Sequence, residues 1–330
     1  MNFGIIGCGL IGVKRARSIF ESGHKITIMC DVDSNKARAL ADQFKCDCIT
    51  NTYKDVIHKE DVDIIVVATS NNLLAQITLE AVKNDKNVIV EKPGAISSHE
   101  LEPIISELEK RKVVVKVGFN HRYHPAMLQA MDIIKNEDVG EIMFIRGRYG
   151  HGGRVGYDRE WRADKSISGG GETIDQGVHL IDLSRWFMGD FDKVEGFAAT
   201  YYWDMEVDDN GFICLRKEDN RCAWLQVSCT EWKNMFSFEI YCKYAKLMIE
   251  GLGGSYGVER LYYYKMLPEM GPPITKIYEY SRGDDSWKME LKDVVEAVES
   301  GSELFMGDIH DAYESLKIVE QIYGGSDVKG

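Results

Sequence analysis

Lys92 lies in the tripeptide Glu91-Lys92-Pro93, directly after an apolar run, Asn87-Val88-Ile89-Val90, with the pattern of a buried parallel strand. An amine at the carboxyl end of such a strand stands where ligands bind in open α/β sheets. There it can hydrogen-bond a substrate oxygen or handle a proton. A second set of proton-handling groups is Asp175 and His179, four residues apart, which a helix would carry on one face. Asp182 continues that face, and Ile174, Val178 and Ile181 form the adjoining apolar stripe. Such a pair can do acid–base chemistry near neutral pH, or it can staple a core by hydrogen bonding. The residues alone leave both open. No metal centre is expected, because Cys-pair and His-x-x-x-His spacings are absent and His121 and His124 have no obvious third ligand.

The chain opens with an apolar strand, Asn2 to Ile6, followed by Gly7-Cys8-Gly9-Leu10-Ile11-Gly12 and a helical pattern to Ser22. A Gly-x-Gly-x-x-Gly between a strand and a helix is the dinucleotide fingerprint. Gly7 permits the tight turn, Gly9 lets backbone approach a pyrophosphate, and Gly12 lets the helix pack on the strand. The helix N-terminus then offers N–H donors to the phosphates. Asp31 ends the second strand about twenty residues on, placed to bind ribose hydroxyls and to repel a 2′-phosphate, so NAD is favoured over NADP. Lys36 and Arg38 are close enough in sequence to tolerate that phosphate. Asp33 or Ser34 is the expected cap of the next helix. Ser70 and Asn71 follow the strand pattern Val62 to Ala68 and are read either as cofactor contacts or as a helix cap.

These groups need a scaffold, and the first third of the chain supplies one by alternating strands with helices. Strand patterns at 2–6, 25–30, 62–68, 87–90 and 113–118 alternate with helical spacing at 9–22, 34–44, 73–84 and 98–111. That alternation implies a Rossmann-type parallel sheet. After about Asn120 the texture changes. A helix at 125–136 and a strand at 142–149 precede a Gly-rich, charged stretch from Gly150 to Gly171, then a helix at 172–188. Seven strand-like runs between 194 and 280 follow, with helices at 287–300 and 308–323. The expected fold is α/β, with a Rossmann domain over 1–122. A C-terminal α+β domain with a mostly antiparallel sheet is expected over 123–330.

Composition narrows the partners. The chain has 330 residues, with 40 basic and 53 acidic side chains and a net charge of −13. Nucleic acids and anionic membranes reward clustered Lys and Arg, so neither is expected as a partner. Eight cysteines are scattered without paired motifs, and no apolar run is long enough to span a bilayer. A reducing cytoplasm is the expected location. Against the acidic whole, Arg154, Arg159, Arg162 and Lys165 cluster in one loop, which could hold a phosphate or carboxylate or simply be solvated.

Taken together, Gly7 to Gly12, Glu91-Lys92-Pro93, and Asp175-x-x-x-His179 after a Gly-Gly-Gly resemble the Gfo/Idh/MocA oxidoreductase family over essentially the whole chain. The resemblance implies hydride transfer at a sugar or cyclitol carbon, and that the second domain, 123–330, has a large, mostly antiparallel open sheet serving substrate binding and oligomerisation into homodimers or homotetramers. It implies that Lys92, His179 and Asp175 are the catalytic groups. It places Gly7, Gly9, Leu10, Ile11, Gly12, Asp31, Ser70, Asn71, Glu91 and Lys92 at the cofactor, and Lys92, Arg122, Tyr123, Trp161, Arg162, Asp175 and His179 at the substrate. Which of Lys92 and His179 is the base stays open. One departure is visible: where relatives often have Ala-Thr-Pro-Asn and then a His, this chain has Ala68-Thr69-Ser70-Asn71 and Leu74. The run Ile249 to Gly257 is similar to members acting on sugars in surface-polysaccharide pathways. The expected substrate is a free or nucleotide-linked sugar, with a cyclitol as alternative. A regulator that binds NAD without turnover is the alternative from another class.

Overall fold

Apolar strands that alternate with amphipathic helices can bury both faces of a sheet only if the strands run parallel. The computed structural model, which describes residues 1–281 and 283–325, contains that arrangement at its N-terminal end. Strands β1 (Asn2–Ile6), β2 (Lys25–Cys30), β3 (Ile49–Thr50), β4 (Ile64–Val67), β5 (Asn87–Val90) and β6 (Val115–Val117) form one sheet in the order β3-β2-β1-β4-β5-β6. Every pairing in it is parallel. The order reverses between β1 and β4, the position at which a doubly wound sheet opens a ligand crevice. The helices Leu10–Glu21, Ser34–Phe44, Asn71–Lys83 and Glu102–Leu108 form the principal crossovers.

The helical pattern expected over 98–111 is a 3₁₀ turn, Ser98–Leu101, followed by a separate helix, Glu102–Leu108. Pro103 explains the break, since proline suits a helix's first turn and lacks the N–H that a continuing helix needs. The helix Asn71–Lys83 begins two residues before the expected Leu73, with Ser70 at its N-cap.

The chain clusters into two compact units. The first comprises residues 1–120, 166–169 and 287–314, and the second 121–165, 170–286 and 315–330. A sequence boundary at 122 and 123 leaves residues 287–314 with the second domain. In the structure Leu291, Val294 and Val295 of the helix Ser286–Ser300 join the core of Phe3, Ile5, Ile19, Ile64, Val66 and Ile89. The reason is chemical as well as apolar: Arg15 is buried between Glu91 and Glu290, at 2.6 and 2.5 Å. Arg282 and residues 326–330, within the expected second domain, lie outside the described residues.

The second unit is built on one eight-stranded sheet. Its strands are β7 (Ile142–Gly150), β8 (Lys193–Ala199), β9 (Asn210–Arg216), β10 (Cys222–Ser228), β11 (Met235–Cys242), β12 (Ala245–Glu250), β13 (Glu259–Lys265) and β14 (Ile274–Tyr280). The order is β14-β13-β12-β11-β7-β10-β9-β8, with only the β7–β10 pair parallel. Along β7 the residues Ile145, Gly147 and Tyr149 are buried while Phe144, Arg146 and Arg148 are exposed, the two-residue alternation of a sheet covered on one face. The helix expected over 172–188 is a π turn, Thr173–Gly177, running into the α-helix Val178–Met188.

Candidate active site and cofactor-binding loop

In the first unit the parallel strands bring Gly7, Asp31, Ser70 and Lys92 to one edge, because each follows the carboxyl end of its strand. Gly7 has φ +98°, and a Cβ there would lie 2.3 Å from the Ala68 carbonyl oxygen. A Cβ on Gly12 would lie 2.0 Å from Gly7 O, whereas one on Gly9 would meet nothing within 4 Å. Two glycines therefore permit the turn and one leaves its backbone open. Gly9 caps the helix Leu10–Glu21 without any side-chain hydrogen bond, and Leu10 is 74 % exposed. The N–H groups at that helix start remain available to an anion. These features fit a dinucleotide's pyrophosphate.

Asp31 shapes the same loop. Its carboxylate accepts from Cys8 N at 2.8 Å and Asp33 N at 2.9 Å. Asp33 caps the helix Ser34–Phe44 by accepting from Asn35 N. The Cys8 thiol is pushed up to about 12 by burial and by Asp31, which makes it a packing group and not a nucleophile. Ser70 Oγ donates to Asn72 Oδ1, and the Asn71 amide donates to Ser168 O at 2.8 Å, bracing the segment 166–169.

Glu91 and Lys92 diverge although they are adjacent. The Glu91 side chain turns inward to Arg15, and burial raises its pKa against the opposing pull of the Arg15 charge. Burial acts to lower the Arg15 pKa, but Glu290 and Glu91 together hold it above the ordinary value. Glu91, counted among the cofactor contacts, thus has its carboxylate committed to the core. Lys92 is half-buried at the sheet edge and joined to Pro93 by a cis peptide.

The second unit gathers the other half of the chemistry. His179 is 4 % exposed, and its ring stacks on His121 with centroids 3.8 Å apart and planes at 22°. Tyr149 stands against both rings, at 5.2 Å from His121 and 6.2 Å from His179, and Phe236 closes the other side of Tyr149. Burial raises the Tyr149 hydroxyl well above its usual range, helped by Tyr256 and then by Asp175 and Glu172. Tyr149 is therefore a donor at neutral pH.

Asp175 lies in the π turn, half-buried, with its Oδ2 3.5 Å from Arg162 Nε. Arg162 stacks over Trp161 at 4.5 Å. The start of this turn is held from elsewhere in the chain. Asp208 accepts from Gly171 N, Thr173 N, Thr173 Oγ1 and Tyr323 Oη, all at 2.7–2.8 Å. A carboxylate that captures the first N–H groups of a helix fixes its start from outside. π bulges of this type are frequent at functional sites.

Asp175, His179, Trp161 and Arg162 thus fall in one unit, and Lys92 and the cofactor loop in the other. Arg122, counted at the substrate, holds Asp182 with two bonds, 2.8 Å from Nε and 2.5 Å from Nη2, and is 3 % exposed. It braces the helix Val178–Met188. Tyr123 is buried beside it in sequence. Sequence reasoning missed Tyr149, Tyr256 and the stacking of His121 on His179. The one available signal was the two-residue alternation of β7, which points Tyr149 to the covered face. Among the described residues no group of three or more His, Cys, Asp or Glu is arranged to hold a metal. Nor is any described helix long and apolar enough to cross a membrane.

Comparison with known proteins agrees with this division. Residues 1–119 match the oxidoreductase family, NAD-binding Rossmann fold, and residues 127–248 match the GFO/IDH/MocA C-terminal domain. Levoglucosan dehydrogenase of Pseudarthrobacter phenanthrenivorans is 26 % identical over 228 residues, 65 % of this chain and 58 % of that protein. Inositol 2-dehydrogenase of Salmonella typhimurium is 28 % identical over 191 residues, 57 % of this chain and 54 % of that protein. The matched stretches span about half the length of these curated relatives. A solved structure of levoglucosan dehydrogenase in complex with NADH and levoglucosan shares the fold with a TM-score of 0.87 at 20 % identity, covering 98 % of this chain and 96 % of that one.

Proposed function

The chain belongs to the Gfo/Idh/MocA family of NAD-binding oxidoreductases, and from that membership we propose that it interconverts a hydroxyl and a keto carbon of a free or nucleotide-linked sugar. NAD, when bound, accepts or returns the hydride. Gly7 to Gly12 and the open helix start would hold its pyrophosphate. Asp31 would take the ribose hydroxyls and disfavour a 2′-phosphate.

The reading rests on one observation above the others: a buried histidine, His179, stacked on His121 just after a π turn that carries Asp175. Histidine is the side chain whose ordinary pKa suits it to exchange a proton near working pH. His179 takes the proton of the reacting hydroxyl, and Lys92 hydrogen-bonds the same oxygen. Asp175 orients either His179 or the sugar. Trp161 and Arg162 line the sugar, the ring by stacking and the guanidinium by hydrogen bonds to hydroxyls or a phosphate. A cyclitol substrate is the second reading, favoured by the inositol 2-dehydrogenase relative. Assembly into a homodimer or homotetramer belongs to the same proposal.

The test is NAD reduction against a panel of free sugars, nucleotide sugars and inositols, with Lys92→Met and His179→Ala beside the wild type. Each variant should keep its NAD affinity and lose at least about a hundredfold in kcat. Near-normal kcat in both would remove the assignment. NAD binding without turnover of any panel member would favour a regulatory role.

A further inference from the structure

The segment from the end of β7 to Gly171 contains only short helical turns, yet its parts converge on one carboxylate. Glu172 is 1 % exposed. Its Oε1 accepts from Tyr157 Oη at 2.7 Å, in the middle of the loop. The same oxygen lies 3.4 Å from His151 Nε2, at the loop's start. Glu172 itself closes the far end, directly after the three glycines. The neighbours reinforce this point: the Tyr157 ring packs on His151 at 5.5 Å and on Trp203 at 5.6 Å, and Trp203 Nε1 donates to Cys229 O. The Cys229 thiol is raised by burial and then by the Glu172 charge, so it too faces the carboxylate.

Burying a carboxylate is costly unless several donors meet it. Here Oε1 is met from the start and the middle of a single loop, while Oε2 is buried with no hydrogen-bond partner among the described residues, so the carboxylate depends on that one set of contacts. That loop carries Trp161 and Arg162, and Arg162 reaches Asp175 three residues beyond Glu172. Long loops without regular structure are commonly functional, and one that must present side chains accurately needs fixing points.

We propose that Glu172 is a positioning residue: through His151 and Tyr157 it pins the 151–165 loop so that Trp161 and Arg162 are presented to the sugar. The proposal rests on the oxidoreductase reading. Because Glu172 acts through the loop, its loss falls on substrate capture and not on the chemical step.

Two variants test it, Glu172→Gln and Tyr157→Phe, the second retaining the buried charge in case the first folds poorly. Amide hydrogen exchange gives a readout that needs no turnover. In both variants the amides of 151–165 should exchange about tenfold faster, with those of β7, β10 and β11 unchanged. The KM for the sugar should rise about tenfold, with kcat within about twofold of wild type and NAD affinity unaltered. Unchanged loop exchange in both variants would overturn the proposal. So would faster exchange throughout the second unit's sheet with a matching loss of kcat, which marks a core residue. If the wild type turns over no member of the panel, the oxidoreductase reading fails on its own, and the exchange measurement still decides whether Glu172 pins the loop.

Discussion

At Gly12 an added methyl carbon would stand 2.0 Å from a backbone oxygen, while at Gly9 it would stand in open space. Alanine at the two positions should therefore separate folding from binding. Gly12→Ala forces backbone apart and should lower the melting temperature by several degrees. Gly9→Ala should melt like the wild type yet bind NAD at least about tenfold more weakly, because its methyl group fills the approach that the pyrophosphate needs. Differential scanning calorimetry and titration calorimetry read the two effects. Equal NAD affinity in Gly9→Ala and the wild type would mean that the loop does not hold the pyrophosphate. The same scale shows what the sequence alone hides. Glu91 lies inside a family motif and Arg122 belongs to the 3₁₀ turn Asn120–Tyr123, yet both side chains are tied up in buried ion pairs. Their partners, Arg15 and Asp182, lie far away in sequence, so nothing local marks either residue as part of a buried ion pair.

Elements carry a second prediction, in the loop that begins at His151. Burial acts to lower the His151 pKa, but the hydrogen bond and charge of Glu172, with Asp175 behind them, raise it above the ordinary value; Arg154 opposes them weakly. A histidine whose folded pKa is raised stabilises the native state fully below its unfolded pKa of about 6.5, and loses that contribution as pH rises through the folded value. The stability difference between wild type and His151→Gln should therefore be largest near about pH 6 and shrink on raising the pH. Chemical denaturation across that range measures it, and a difference that grows with pH would contradict the assignment. The strands and most helices were legible in advance, since apolar runs and 3.6-residue spacing are local signals. The π turn was not. It is imposed by Asp208 and Tyr323, which arrive from distant parts of the chain to capture Gly171 and Thr173. The Asp175–His179 pair could be recognised by spacing, but not the stacking of His121 on His179, which depends on how a separate 3₁₀ turn, Asn120–Tyr123, packs.

At the scale of the whole molecule, the first unit is closed by residues far from its start. Leu291, Val294 and Val295 complete the core around Phe3 and Ile64, Glu290 holds Arg15, and Lys116, fully buried, donates to Met306 O. A fragment of residues 1–120 should therefore lack fixed packing. It should show a weak near-ultraviolet circular dichroism signal and bind a hydrophobic dye. The same fragment joined by a short linker to residues 287–314 should recover a cooperative melt. A cooperative melt of 1–120 alone at the wild-type temperature would show the closing segment to be dispensable. This route has a consequence during synthesis. A ribosome adding roughly 5–20 residues per second needs on the order of ten to thirty seconds to pass from residue 121 to 286. Through that interval the nascent parallel sheet must wait with Arg15 half-paired and its apolar face uncovered. Translation is therefore the stage at which this chain is most exposed to aggregation, before its last helices arrive to close the sheet.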